Sequence, residues 1–276
     1  MTARMTAQRL AGLIAGGDAE RVVAAVTTQP RLLAATVERD GQGGWTPLHL
    51  AVAAGHTGLA EQLTAAGADL AARTESGRTP LHVALERSPD LVPVLRGLGA
   101  PVDAASAAFL GDTEQLARAL DDGARLTDPA TDVDLLSWAA TGGSAGTVRL
   151  LLDRGADPSR GALHAAAAAG SAPVVELLLE AGADVDGRDP DTGRTPLHTA
   201  VAALSSGPVD AVAAVVTLLL AAGADVDATT WDGATALDIT RVAGARRRGE
   251  AGSRGGSGAP EHDQLSELLV SAGATH

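Results

Sequence analysis

Apolar residues recur along the chain in short stripes of helical spacing. Leu48, Ala51 and Val52 share one helical face, and Leu59, Leu63 and Ala66 begin a second. Gly55 separates the two stripes and permits a chain reversal. Thr46 precedes the first stripe and can cap a helix, because its hydroxyl accepts a bond from an otherwise unpartnered N–H. Pro47 then falls at the first helical position, where no N–H is needed. Gly67 follows the second stripe and suits a cap with positive φ. The pattern predicts helix, turn, helix, and then an extended segment leading to the glycine turn Ser76-Gly77-Arg78.

This unit repeats. Thr46-Pro47-Leu48-His49 returns as Thr79-Pro80-Leu81-His82, 33 residues on, and as Thr195-Pro196-Leu197-His198. Gly-Ala-Asp stands at residues 67–69, 155–157, 182–184 and 223–225, with degenerate copies at Gly99, Gly123 and Gly273. The intervals between these glycines are 32, 24, 32, 27, 41 and 50 residues, so a unit of about 33 carries two deletions and two insertions. One unit cannot bury both of its stripes. Stacking on the next unit buries them, which predicts a solenoid.

The three Thr-Pro-Leu-His copies, the Gly-Ala-Asp copies and the segment Val174–Gly182 resemble ankyrin repeats, over roughly residues 7 to 276. The resemblance implies an all-α solenoid of about eight helix-turn-helix units with short β-hairpin turns. A single domain, 1–276, would comprise an N-terminal capping unit (1–39), central repeats (40–228) and a C-terminal capping unit (229–276). The segment 244–260, rich in Gly, Ser and Arg, reads as a flexible insertion in the last unit. The fourth and sixth units are short by 9 and 6 residues, which leaves open whether the family's usual concave surface is continuous.

Composition narrows the chemistry. Apolar residues make up 45% of the chain, but there is one Phe, three Trp and no Tyr, so Leu, Val and Ala must fill the core. The absence of Cys excludes disulfides, thiolate catalysis and Cys-ligated metals. A net charge of −13 argues against a nucleic-acid partner. Every basic residue is Arg, and Lys and Asn, whose codons are AT-rich, are absent; a GC-rich bacterial gene fits this bias. The longest nearly apolar run, Ala211–Ala224, falls short of the roughly 20 residues of a membrane span. The expected protein is cytoplasmic, monomeric and free of cofactors and metals.

Candidate sites divide into structural and binding residues. The resemblance implies that His49, His82, His164 and His198 bond backbone groups and tie neighbouring units together, rather than hold a metal. Gly142-Gly143-Ser144-Ala145-Gly146 matches a nucleophile-elbow pattern but falls where a helix-to-helix turn is expected, so it reads as a turn. Arg246-Arg247-Arg248 reads as a solvated linker. Trp45 and Trp231 lie in the turns before first helices, either tucked against a neighbouring turn or presented to a partner. Carried over from the family, the partner-binding candidates are Trp45, Glu75, Arg78, Glu86, Arg87, Asp191, Arg194, Trp231 and Asp232. They form two patches, one around Trp45, Arg78 and Arg87 and the other around Arg194, Trp231 and Asp232. The expected function is a non-catalytic module or scaffold binding another protein, the alternative being a dedicated regulator of one partner enzyme. On this reading Trp45→Ala weakens binding and leaves the fold intact.

Overall fold

In a computed structural model the chain is described at residues 5–127, 134–159, 161–205, 208–242 and 260–275. The capping chemistry falls where the Thr-Pro-Leu-His copies place it. Thr46, Thr79 and Thr195 each accept a bond from the N–H of the motif histidine, and that histidine's side chain accepts one from the threonine N–H. These reciprocal bonds satisfy two of the donors that every helix start leaves unpaired.

The chain forms two units, Met1–Ser106 and, beyond it, Ala107–Thr127 with Val133–His276. In the first unit α1 (Ala7–Ala15), α3 (Pro47–Ala53) and α5 (Pro80–Arg87) pack in sequence as one row. Behind them lie α2 (Ala19–Thr28), α4 (Thr57–Ala65) and α6 (Val92–Gly97), each packed on the first helix of its own repeat. The strands β1 (Val37–Arg39) and β2 (Gln42–Trp45) make an antiparallel hairpin that pairs Val37 with Trp45. The boundary between the units falls within α7 (Ala104–Leu110).

In the second unit α9 (Leu135–Thr141), α11 (Ala162–Ala169) and α13 (Pro196–Ala202) form the first row. The second row runs through α8 (Thr113–Asp121), α10 (Ala145–Asp153), α12 (Ala172–Glu180), α14 (Val209–Ala221) and the last helix. A helix at 236–242, α15, follows the isolated bridge between Thr229 and Thr235, and Pro260–Ser271 is α16. The insertion expected at 244–260 lies outside the described residues up to 259, and Pro260 already opens α16.

Leu, Val and Ala fill both cores. Leu48, Leu63, Leu81, Leu95, Leu151, Leu178 and Leu197 are fully buried, each worth about 1.5–3 kcal/mol against exposure. In α11 the inward positions are Ala162, Leu163, Ala166 and Ala167, and the three alanines let its neighbours α9 and α13 approach closely.

Candidate functional site

The motif histidines are the joints of the stack. Nδ1 of His49 accepts from the Thr46 N–H at 3.3 Å, which leaves Nε2 to donate to the Arg78 carbonyl at 3.0 Å in the next repeat. His198 repeats this arrangement with Thr195 and the Ala234 carbonyl, and His164 reaches the Arg194 carbonyl at 3.0 Å. Burial holds the pKa of His49 and of His198 below the usual imidazole value, so both act as neutral donors. His82 meets a carboxylate instead, Asp103 Oδ1 at 3.1 Å. Burial would raise the Asp103 pKa, but the bonds from His82 and Ser106 hold it well below the carboxylate range. Ser144, of the elbow-like sequence, caps α10 by accepting from the Thr147 N–H. No group of three or more side chains able to hold a metal occurs among the described residues.

The turns before first helices reach back to the preceding turn. The Glu75 N–H donates to the Gly43 carbonyl, and the Trp231 N–H donates to the Thr192 carbonyl, both at 3.0 Å. In the first unit this builds a small groove of about 120 Å³ lined by Asp40, Gln42, Trp45, Arg78, Glu86 and Arg87. Arg78 Nε donates to Glu86 Oε1 at 2.9 Å. Glu75 stands beside this groove and accepts from the Gly43 N–H.

Trp45 is not offered to a partner, contrary to the expectation from its position in a turn. It is 3% exposed, and its ring meets His49 edge to face at 6.0 Å. The Arg39 and Arg87 guanidinium carbons lie 5.2 and 5.7 Å from its centroid, and Asp40 bonds both guanidinium groups. Its Nε1 finds no acceptor among the described residues. Trp45 is therefore part of the core, and Trp45→Ala cannot leave the fold unaffected.

In the second unit a larger groove of about 310 Å³ brings together Asp191, Arg194, Trp231 and Asp232, with Thr230 and Ile239. Here the tryptophan is open to solvent, with 62% of its surface exposed. Its Nε1–H donates to the Pro190 carbonyl at 3.3 Å, and part of the ring lies on Gly193. A Cβ on Gly193 would stand 2.5 Å from Cδ2 of the indole, so only glycine admits the ring there. Asp232 accepts from the Thr230 hydroxyl, which keeps its carboxyl below the usual range. Arg194, Asp191 and Asp232 are exposed and make no ion pair among the described residues.

Three residues in or beside these grooves were not among the candidates from sequence. Asp40 joins two arginines over Trp45. Arg188 stands 5.3 Å from the Trp231 centroid, with its guanidinium held by the Gly193 and Thr229 carbonyls. Thr230 holds Asp232. Only Arg188 left a signal, since it shares with Arg73 a place shortly before the glycine of the turn, and Arg73 bonds the Gly77 carbonyl in the same way.

Paired helices, reciprocal caps and histidine joints define a helical repeat protein. The family model for ankyrin repeats (3 copies) matches residues 23–106 and 136–230, and the chain belongs to this family. Proteins built of these repeats are in general protein–protein interaction modules and are typically non-catalytic. No curated protein gives a significant match. No helix among the described residues is long and apolar enough to cross a membrane.

Proposed function

We propose that the chain is a non-catalytic, monomeric module that binds another protein through its turns and the adjoining ends of its first helices. The observation that carries this reading is the groove of the second unit, where a 62% exposed indole stands beside Arg194, Asp191 and Asp232. Trp and Arg supply most of the energy at protein interfaces, commonly about 2 kcal/mol or more each where they are well packed. The test is capture of partners by the full chain, with identification by mass spectrometry. Trp231→Ala and Arg194→Ala should lose the partner, whereas Glu61→Ala and Glu176→Ala, exposed on second helices, should keep it. If the second-helix pair abolished binding and the groove pair did not, the reading would fail. One stoichiometric enzyme among the captured proteins would identify a dedicated regulator, and several partners a scaffold.

A further inference from the structure

We infer that the groove at Trp231 takes an arginine side chain of a partner protein, stacked on the indole and bound by Asp191 and Asp232, from a segment that also brings a carboxylate to Arg194. This rests on the protein-binding reading above and narrows it to one chemistry.

The indole is already fixed. Its N–H is used by the Pro190 carbonyl and part of the ring is seated on Gly193, yet the residue is 62% exposed. An aromatic surface held in place loses little freedom on binding, and its π face attracts a cation. Beside it stand two exposed carboxylates without an ion pair among the described residues. Arg188 does not neutralise them, since its guanidinium is bound to two backbone carbonyls.

The first unit gathers the same groups, guanidinium, indole and carboxylate, at a different point of its turn, where Trp45 directly precedes Thr46. There two arginines flank Trp45, and one carboxylate, Asp40, bonds both guanidinium groups. At Trp231 Arg188 stands over the ring, and Arg194 lies in the same groove without an ion pair to Asp191 or Asp232. A planar guanidinium can stack on an indole and fork to a carboxylate at once, which an ammonium cannot do. Arg194 sets the other half of the code. Its guanidinium makes no hydrogen bond or ion pair among the described residues, so a carboxylate near the incoming arginine would satisfy it. The net charge of −13 would favour approach of a cationic segment.

The test is selection of a displayed library of random twelve-residue peptides on the full chain, followed by affinity measurement on the enriched peptides. These should carry Arg with Asp or Glu within a few positions. Replacing that Arg by Lys in the peptide, or Trp231 by Ala in the protein, should weaken binding about tenfold or more. Asp191→Asn with Asp232→Asn should weaken it similarly, and Glu176→Ala should leave it unchanged. Thermal melts should show Trp231→Ala as stable as the parent chain. Enriched peptides that lack Arg, or whose binding ignores Trp231, would overturn the inference. If they bound instead through Arg78 and Glu86, the inference would fall while the protein-binding reading stood. An empty selection would also overturn the inference, and the capture experiment would still decide the broader reading.

Discussion

Gly142 closes α9 in the right-handed helical region, at φ −72°. Gly16 closes α1 in the same way at φ −80°, and the equivalent residue after α3 is an alanine, Ala54, at φ −89°. None of these positions requires glycine for its backbone. Gly16→Ala should therefore stabilise the protein by about 0.4–1 kcal/mol, because alanine has less freedom to lose on folding. The nearest atom to its new Cβ would be the Gly12 carbonyl oxygen at 3.5 Å, an ordinary contact. Gly142 differs in its neighbour. A Cβ there would lie 1.9 Å from the Phe109 carbonyl oxygen and 2.7 Å from its carbon. Relieving that overlap requires the backbones to part by more than an ångström, which would also disturb the edge-to-face contact of Phe109 with Trp138 at 6.0 Å. Overpacking of this kind costs about 1–3 kcal/mol, and each kcal/mol lowers the melting temperature of a chain this size by about 2–4 °C. Urea unfolding followed by circular dichroism should thus move the two variants in opposite directions. Equal or greater stability in Gly142→Ala would refute the reasoning, because the same substitution would then be tolerated despite the contact.

Trp45→Ala should destabilise the protein by about 3–5 kcal/mol, as removal of a buried ring does, while Trp231→Ala should stay within about 0.5 kcal/mol; urea midpoints would compare them directly. His49 and His198 have folded pKa values below that of the unfolded imidazole, so the unfolded chain gains protons first as pH falls. Stability should be full above about pH 6.5 and decline below it, by at most about 1.4 kcal/mol per pH unit for each histidine. Asp103, also depressed, adds a further loss only below about pH 4. A urea midpoint unchanged between pH 7.5 and 5 would contradict the histidine assignment. Thr195→Ala removes a capping hydroxyl and should cost about 1 kcal/mol in the same assay.

The helices were legible because their determinants are local. Thr46, Pro47 and Gly55 fix a start and a reversal within ten residues, and the buried leucines follow at helical spacing. The two grooves were legible as groups, since residues at corresponding points of neighbouring turns must meet. The fate of each tryptophan was not. Trp45 is buried by Arg39, six residues before it, and by Arg87, 42 residues after it, with Asp40 holding both. Trp231 stays open although Arg188 stands 5.3 Å from its centroid with its guanidinium bound to two carbonyls. Both tryptophans precede a first helix, but Trp45 directly precedes Thr46 whereas Trp231 stands four residues before Thr235, and their tertiary partners differ as well. Asp103 was hidden in the same way, as its bond to His82 joins residues 21 apart in sequence.

The choice of acceptor for the motif histidines bears on how such a gene can lengthen or shorten. His49, His164 and His198 each bond a main-chain carbonyl, and the residues that own those carbonyls are Arg78, Arg194 and Ala234. Side-chain identity at the receiving position is thus irrelevant to the joint. A recombination event that duplicates or removes a whole repeat leaves every such joint intact, because any incoming turn offers the same oxygen. His82 is the exception, since its acceptor is the side chain of Asp103. At that one junction an exchange of repeats must bring an aspartate with it, whereas the junctions made by His49, His164 and His198 are interchangeable in this respect.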